Sequence, residues 1–147
     1  MEDEWLCTNA QDLADHLREL RHRRETLKAD AAGSEKKRSA LSADKRRIVL
    51  SKTGERCHVC GGLIKGPWQA DHVLAHSAGG KDAVDNFLPA HDLCNHYRWD
   101  YLPEEFQEIL RLGVWLRTQI EKGTPVGRSA AKSYLAHQKQ RVGRREG

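Results

Sequence analysis

Apolar and polar positions alternate with a helical period at both ends of the chain and lose it in the middle. From Asn9, a suitable helix N-cap, Leu13, Leu17, Leu20 and Leu27 fall on one side of a helix reaching about Asp30. This leucine stripe is narrow. It fits a short coiled-coil seam between two chains, or packing against the chain's own domain. Residues 31–34 break the pattern and read as a linker. A basic helix then starts at Ser42 and ends at Gly54.

Between 61 and 90, Gly61-Gly62, Gly66-Pro67 and Gly79-Gly80 punctuate short runs such as 68–74, which read as a small hairpin. Helix returns after Asn86. It restarts at Pro103 with Phe106, Ile109, Leu110, Val114, Leu116 and Ile120, and stops at Gly123. A last basic helix covers about Arg128 to Arg141, followed by a frayed tail. The pattern therefore predicts an α+β chain with a helical segment over 1–33, a core with flanking helices over 34–124, and a basic helix and tail over 125–147.

Composition narrows the class. With 147 residues, 38% apolar and 31% charged, the chain can hold one domain with a modest core. No apolar run approaches the ~20 residues needed to span a bilayer, and the start, MEDEW, lacks the basic and apolar parts of a signal peptide. A cytoplasmic location without membrane contact is expected. Charge is segregated: −5 over 1–17, +7 over 18–56, −2 over 57–101 and +4 over 102–147. A mildly acidic segment between basic flanks suits a cation-holding site whose surroundings attract a polyanion such as DNA, although basic runs on helices also serve as solvated faces. Arg46, Arg47, Arg144 and Arg145 are the candidate phosphate contacts of those flanks.

The acidic segment holds the chemistry. Three of the four cysteines lie between 57 and 94, which in a reducing compartment favours metal ligation over disulfides; Cys7 stands apart. Cys57-x2-Cys60 and His91-x2-Cys94 offer two ligand pairs of equal spacing, together a tetrahedral Cys3His zinc site. Such a closed shell leaves no position for water, so the zinc is expected to be structural and to support folding. Packing of small buried cysteines is the plainer alternative.

Asp71, His72, Asn86, Asn95 and His96 are not used by that site. The order Asp71-His72, Gly79-Gly80, Asp85-Asn86, then the second ligand pair followed at once by Asn95, resembles the zinc-containing branch of the HNH nucleases over about residues 57–98. The resemblance implies a ββα-metal fold around one catalytic divalent cation, with a two-stranded ribbon carrying Asp71 and His72 and a helix carrying Asn95. It implies Asp71 and Asn95 as oxygen ligands to Mg2+ or Mn2+, His72 as general base, and Asn86 as a brace that orients His72. It also places Arg98 where a phosphate contact is common, and implies DNA ends bearing 5′-phosphate and 3′-hydroxyl groups. His91 stands where many members have cysteine. His96 competes with Asn95 for the ligand role, but on a helix it points elsewhere.

His58 reads as exposed, His76 as a phosphate contact or loop cap, and Trp68, Trp99 and Trp115 as packing residues. The expected function is a metal-dependent DNA endonuclease. The alternatives are a zinc-knuckle nucleic-acid-binding module without catalysis, and a nuclease subunit active only with a partner. That partner, or a second copy of the chain, would dock through the N-terminal leucine stripe.

Overall fold

A computed structural model describes residues 7–32 and 39–146, the side chains of Arg145 and Glu146 excepted. The acidic start of the chain, the end of the 31–34 linker and the proposed contacts of Arg145 lie outside the described residues. In chain order the elements are α1 (Ala10–Ala31), α2 (Ala43–Ser51), β1 (Trp68–His72), two single-turn 3-10 helices (His76–Ala78 and Val84–Asn86), β2 (Phe87–His91), α3 (Asp92–Arg98), α4 (Pro103–Glu121) and α5 (Pro125–Glu146). Helices accompany one two-stranded antiparallel sheet, an α+β arrangement. The chain divides into two compact units, Met1–Phe106 and Gln107–Gly147. No helix among the described residues is long and apolar enough to cross a membrane.

In the first unit, the Asn9 side chain accepts the Asp12 N–H at 2.9 Å and starts α1. Leu20, 1% exposed, anchors α1 within the chain itself, whereas Leu27 is exposed. Arg24 is also buried on this helix. Its Nε donates to both Glu105 oxygens, at 2.9 and 3.2 Å, and its guanidinium lies over Trp99 and Tyr101. Glu105 in turn accepts the Leu102 N–H at 3.0 Å, satisfying a free donor at the start of α4. Ser42 caps α2, which buries Val49 completely.

β1 and β2 pair with Trp68 opposite His91 and His72 opposite Phe87. The short runs pair as an antiparallel two-stranded sheet, with β1 ending at His72 and its partner arriving after the long 73–86 loop. One expectation fails here. The stretch directly after Asn86 is strand, not helix, and helix begins only at Asp92. Phe87-Leu88-Pro89-Ala90 shows neither period clearly, and with two strands each is an edge, so Pro89 costs no ladder bond that a central strand would need.

The second unit comprises the remainder of α4 and α5. Thr124 Oγ1 accepts the Gly127 N–H at 3.1 Å and Pro125 occupies the first helical position, so α5 begins three residues before the expected Arg128. A Cβ on Gly127 would lie 2.1 Å from the Gln119 carbonyl oxygen, so the turn between these helices requires glycine there. The segment expected to fray remains helical to Glu146.

Candidate functional site

The four sulfur and imidazole ligands come from three places. Cys57 and Cys60 lie on a knuckle closed by Cys57 N–H donating to the Gly62 carbonyl at 2.9 Å and Gly61 N–H to the Cys57 carbonyl at 2.8 Å. His91 ends β2 and Cys94 lies in the first turn of α3. The His58 N–H donates to the Pro89 carbonyl at 2.9 Å and fastens the knuckle to β2. The ligand atoms of Cys57, Cys60, His91 and Cys94 all lie within 4.8 Å of one another.

His91 Nδ1 is 3.4 Å from Cys60 Sγ and 3.9 Å from Cys94 Sγ. Zn–S and Zn–N bonds of about 2.3 and 2.0 Å give an N–S tetrahedral edge of roughly 3.5 Å, which these two separations approach. The other ring nitrogen, Nε2, is 3.2 Å from the Leu63 carbonyl. That bond requires Nε2–H and leaves the Nδ1 lone pair facing the sulfurs, the tautomer a metal needs.

The electrostatics agree. Burial pushes the Cys57 thiol up, but N–H groups of Cys60, His91 and Val59 outweigh it and bring the pKa down to about 6. Burial and the neighbouring sulfurs push Cys94 up to about 12. Crowded sulfurs share negative charge badly without a cation, and a divalent metal relieves that conflict. The cluster can hold a metal such as zinc.

Beside it opens a pocket of about 520 Å³ whose walls include Asp71, His72, His76, Asp82, Asn95 and His96. Asp71 and His72 come from the end of β1 and Asn95 and His96 from α3. Asn95 makes no side-chain hydrogen bond among the described residues. Asp71 is 5% exposed, and each oxygen has a partner: Arg98 Nη1 donates to Oδ1 at 3.2 Å, and His58 Nε2 lies 2.7 Å from Oδ2. His58 thus faces inward, contrary to its reading as an exposed knuckle residue.

Arg98 is likewise corrected. It is 7% exposed, and its guanidinium also donates to the His72 and Val73 carbonyls at 2.9 and 2.8 Å, which ties α3 to the end of β1 instead of offering a phosphate contact. His72 Nε2 lies 2.7 Å from Asp82 Oδ1, and its ring packs 4.4 Å from the Phe87 ring. Asn86 Oδ1 accepts the Leu74 N–H at 3.0 Å, while Nδ2 donates to the Leu74 and Lys81 carbonyls at 3.1 and 2.9 Å.

The basic candidates separate. Arg46 lines the pocket, with its guanidinium 4.0 Å above the Trp68 ring and Nη2 donating to the Trp68 carbonyl at 3.0 Å. Arg47 is exposed and pairs with Asp44; Arg144 is exposed on α5. Trp99 and Trp115 are each 52% exposed and do not fill a core. Asp82 and His58 escaped the sequence reasoning because each meets its partner across a turn or between elements, where no fixed spacing signals the contact. Comparison with family models, curated proteins and solved structures gives no match for this chain.

Proposed function

We propose that the chain is a metal-dependent endonuclease that hydrolyses DNA phosphodiester bonds, built on the ββα-metal core of the HNH nucleases. The observation that carries this reading is that Asp71, His72 and Asn95, separated by up to 24 positions, line one pocket beside a Cys3His cluster. Asp71 and Asn95 supply hard oxygen donors suited to Mg2+ or Mn2+. The donor set suits such an ion, because Asp71 offers carboxylate oxygens, engaged by Arg98 and His58, and the Asn95 carboxamide makes no hydrogen bond among the described residues. A bound ion would stabilise charge on the phosphate and on the departing oxygen.

His72 acts on the water. It removes a proton as the water oxygen bonds to phosphorus, the phosphorus–O3′ bond breaks, and the O3′ takes a proton from solvent. The products carry 5′-phosphate and 3′-hydroxyl groups. Arg46, held flat by Trp68, and the exposed Arg47 and Arg144 contact the backbone. Zinc in the cysteine cluster serves folding.

A zinc-knuckle binding module without catalysis is the second reading, favoured by the engagement of both Asp71 oxygens by Arg98 and His58. Supercoiled plasmid incubated with Mg2+ or Mn2+ separates the two. Wild type should cut. His72→Ala should keep its zinc and DNA affinity while losing roughly 10²–10⁴-fold in rate, the contribution of a placed general base. His96→Ala should retain most activity. Binding without cutting under any divalent ion would leave the binding module as the function.

A further inference from the structure

The loop 73–86 brings a carboxylate to the proposed base, and nothing in the resemblance assigns it a role. Asp82 Oδ1 lies 2.7 Å from His72 Nε2, and its Oδ2 accepts the Ser39 N–H at 3.4 Å and lies 4.0 Å from His76 Nε2. The His72 and Asp82 side chains are 18% and 17% exposed, so water competes weakly for their bond. The His72 hydrogen bond holds the Asp82 carboxyl below the usual carboxylate range, and an ionised carboxylate only accepts. His72 must therefore donate from Nε2, which in the neutral ring leaves the lone pair on Nδ1.

The loop itself is fixed. Asn86 grips Leu74 at one end and Lys81, next to Asp82, at the other. Gly79 has φ +88°, and a Cβ on Gly80 would stand 1.8 Å from the Leu74 carbonyl oxygen, so the turn between them admits only glycine. Among the described residues no hydrogen bond joins Asn86 to His72 directly. The hydrogen-bond partner of the imidazole among the described residues is Asp82.

We propose that Asp82 is the positioning residue of the His72 base, fixing the ring as the Nε2–H tautomer with Nδ1 as the proton acceptor, and that Asn86 acts on His72 through the loop carrying Asp82. This rests on the nuclease reading for its consequence in rate, but not for its geometry. A carboxylate on the far nitrogen orients the ring and stabilises the imidazolium formed when water gives up its proton, as a triad aspartate does.

Two measurements on the full, zinc-loaded chain test it. Long-range ¹H–¹⁵N correlation spectra at pH 8 should show His72 as the Nε2–H tautomer, and Asp82→Ala should convert it to a mixture. Asn86→Ala should do the same. In plasmid cleavage Asp82→Ala should lower kcat about 10–100-fold, the usual cost of losing a partner that orients an active group, with KM near wild type. Asp82→Glu should recover part of the loss. Zinc content and melting temperature identify a variant that has misfolded, and Asp82→Asn, of equal size, then replaces Asp82→Ala in both assays.

An unchanged His72 tautomer in a folded Asp82 variant overturns the proposal, as does unchanged kcat in a wild type that cuts. An unaltered tautomer in Asn86→Ala removes the part assigned to Asn86. If wild type cuts nothing, the nuclease reading falls while the spectra still decide whether Asp82 holds His72.

Discussion

Removing Arg24 should unsettle the pocket from a distance. Arg24 and Glu105 have side chains 9% and 8% exposed and share hydrogen bonds of 2.9 and 3.2 Å, so Arg24→Met strands a carboxylate where water hardly reaches. Breaking a buried pair on one side costs about 3–5 kcal/mol. Glu105 keeps the Leu102 N–H, which puts this case near the lower end, about 3 kcal/mol. At about 1.4 kcal/mol per decade that is roughly a hundredfold loss in the folding constant. For a unit of this size it lowers the melting temperature by about 12–24 °C. The double variant Arg24→Met with Glu105→Gln keeps an acceptor for Leu102 without a stranded charge, and should recover much of the loss. Urea titrations followed by circular dichroism measure both. An Arg24→Met protein within 0.5 kcal/mol of wild type, taking ~1 kcal/mol as the ordinary effect of a point change, would refute the reasoning. So would a double variant as unstable as the sum of its single changes. The consequence for the site follows from packing: α1 lies against the His76–Ala78 turn, and Lys28 of α1 pairs with Asp100 on the pocket wall.

The purified protein should carry about one zinc per chain by elemental analysis, and chelation or His91→Ala should lower its melting temperature sharply; a folded, zinc-free protein would remove the structural site. Replacing Arg46, Arg47, Arg144 and Arg145 with Ala should flatten the salt dependence of DNA affinity, and an unchanged slope in filter binding would reduce these charges to solvated surface. Because the Asp82 carboxyl sits below its ordinary value of 3.8 in the folded protein, its stabilising contribution is full above that value and is lost as pH falls through the lowered one. Acid unfolding should therefore begin less steeply in Asp82→Asn, and identical acid limbs for both proteins would count against the His72 contact.

What was legible in the chain depended on whether partners were close in sequence. Cys57-x2-Cys60 and His91-x2-Cys94 are local spacings, and the four atoms gather as those spacings suggest. Asn9 and Ser42 cap helices because a cap bonds three residues ahead. Thr124-Pro125 carries an equally local signal for the start of α5, which a search for apolar periodicity passes over. Arg24 with Glu105, His58 with Asp71 and Arg98 with the His72 carbonyl join residues whose approach depends on how elements pack, and no periodicity encodes them. β2 was illegible for another reason: with a proline among three apolar or small residues, Phe87, Leu88 and Ala90, it shows no alternation, and its identity comes from β1.

The placement of the cysteine cluster bears on the order in which the chain assembles. Cys60 precedes β1 and His91 ends β2, so a metal held by both ligand pairs ties the chain end entering β1 to the chain end leaving β2, where Trp68 faces His91. Bringing such ends together across about 30 residues costs an unstructured chain roughly 3 kcal/mol of entropy, apart from a constant. A chain that captures zinc while still unfolded has met that cost before β1 finds β2. Its strands then search within a closed ring of residues instead of across a free chain. Stopped-flow refolding with zinc present from the start should accordingly outpace refolding in which zinc is added only after dilution from denaturant, and the gap should vanish in Cys60→Ala.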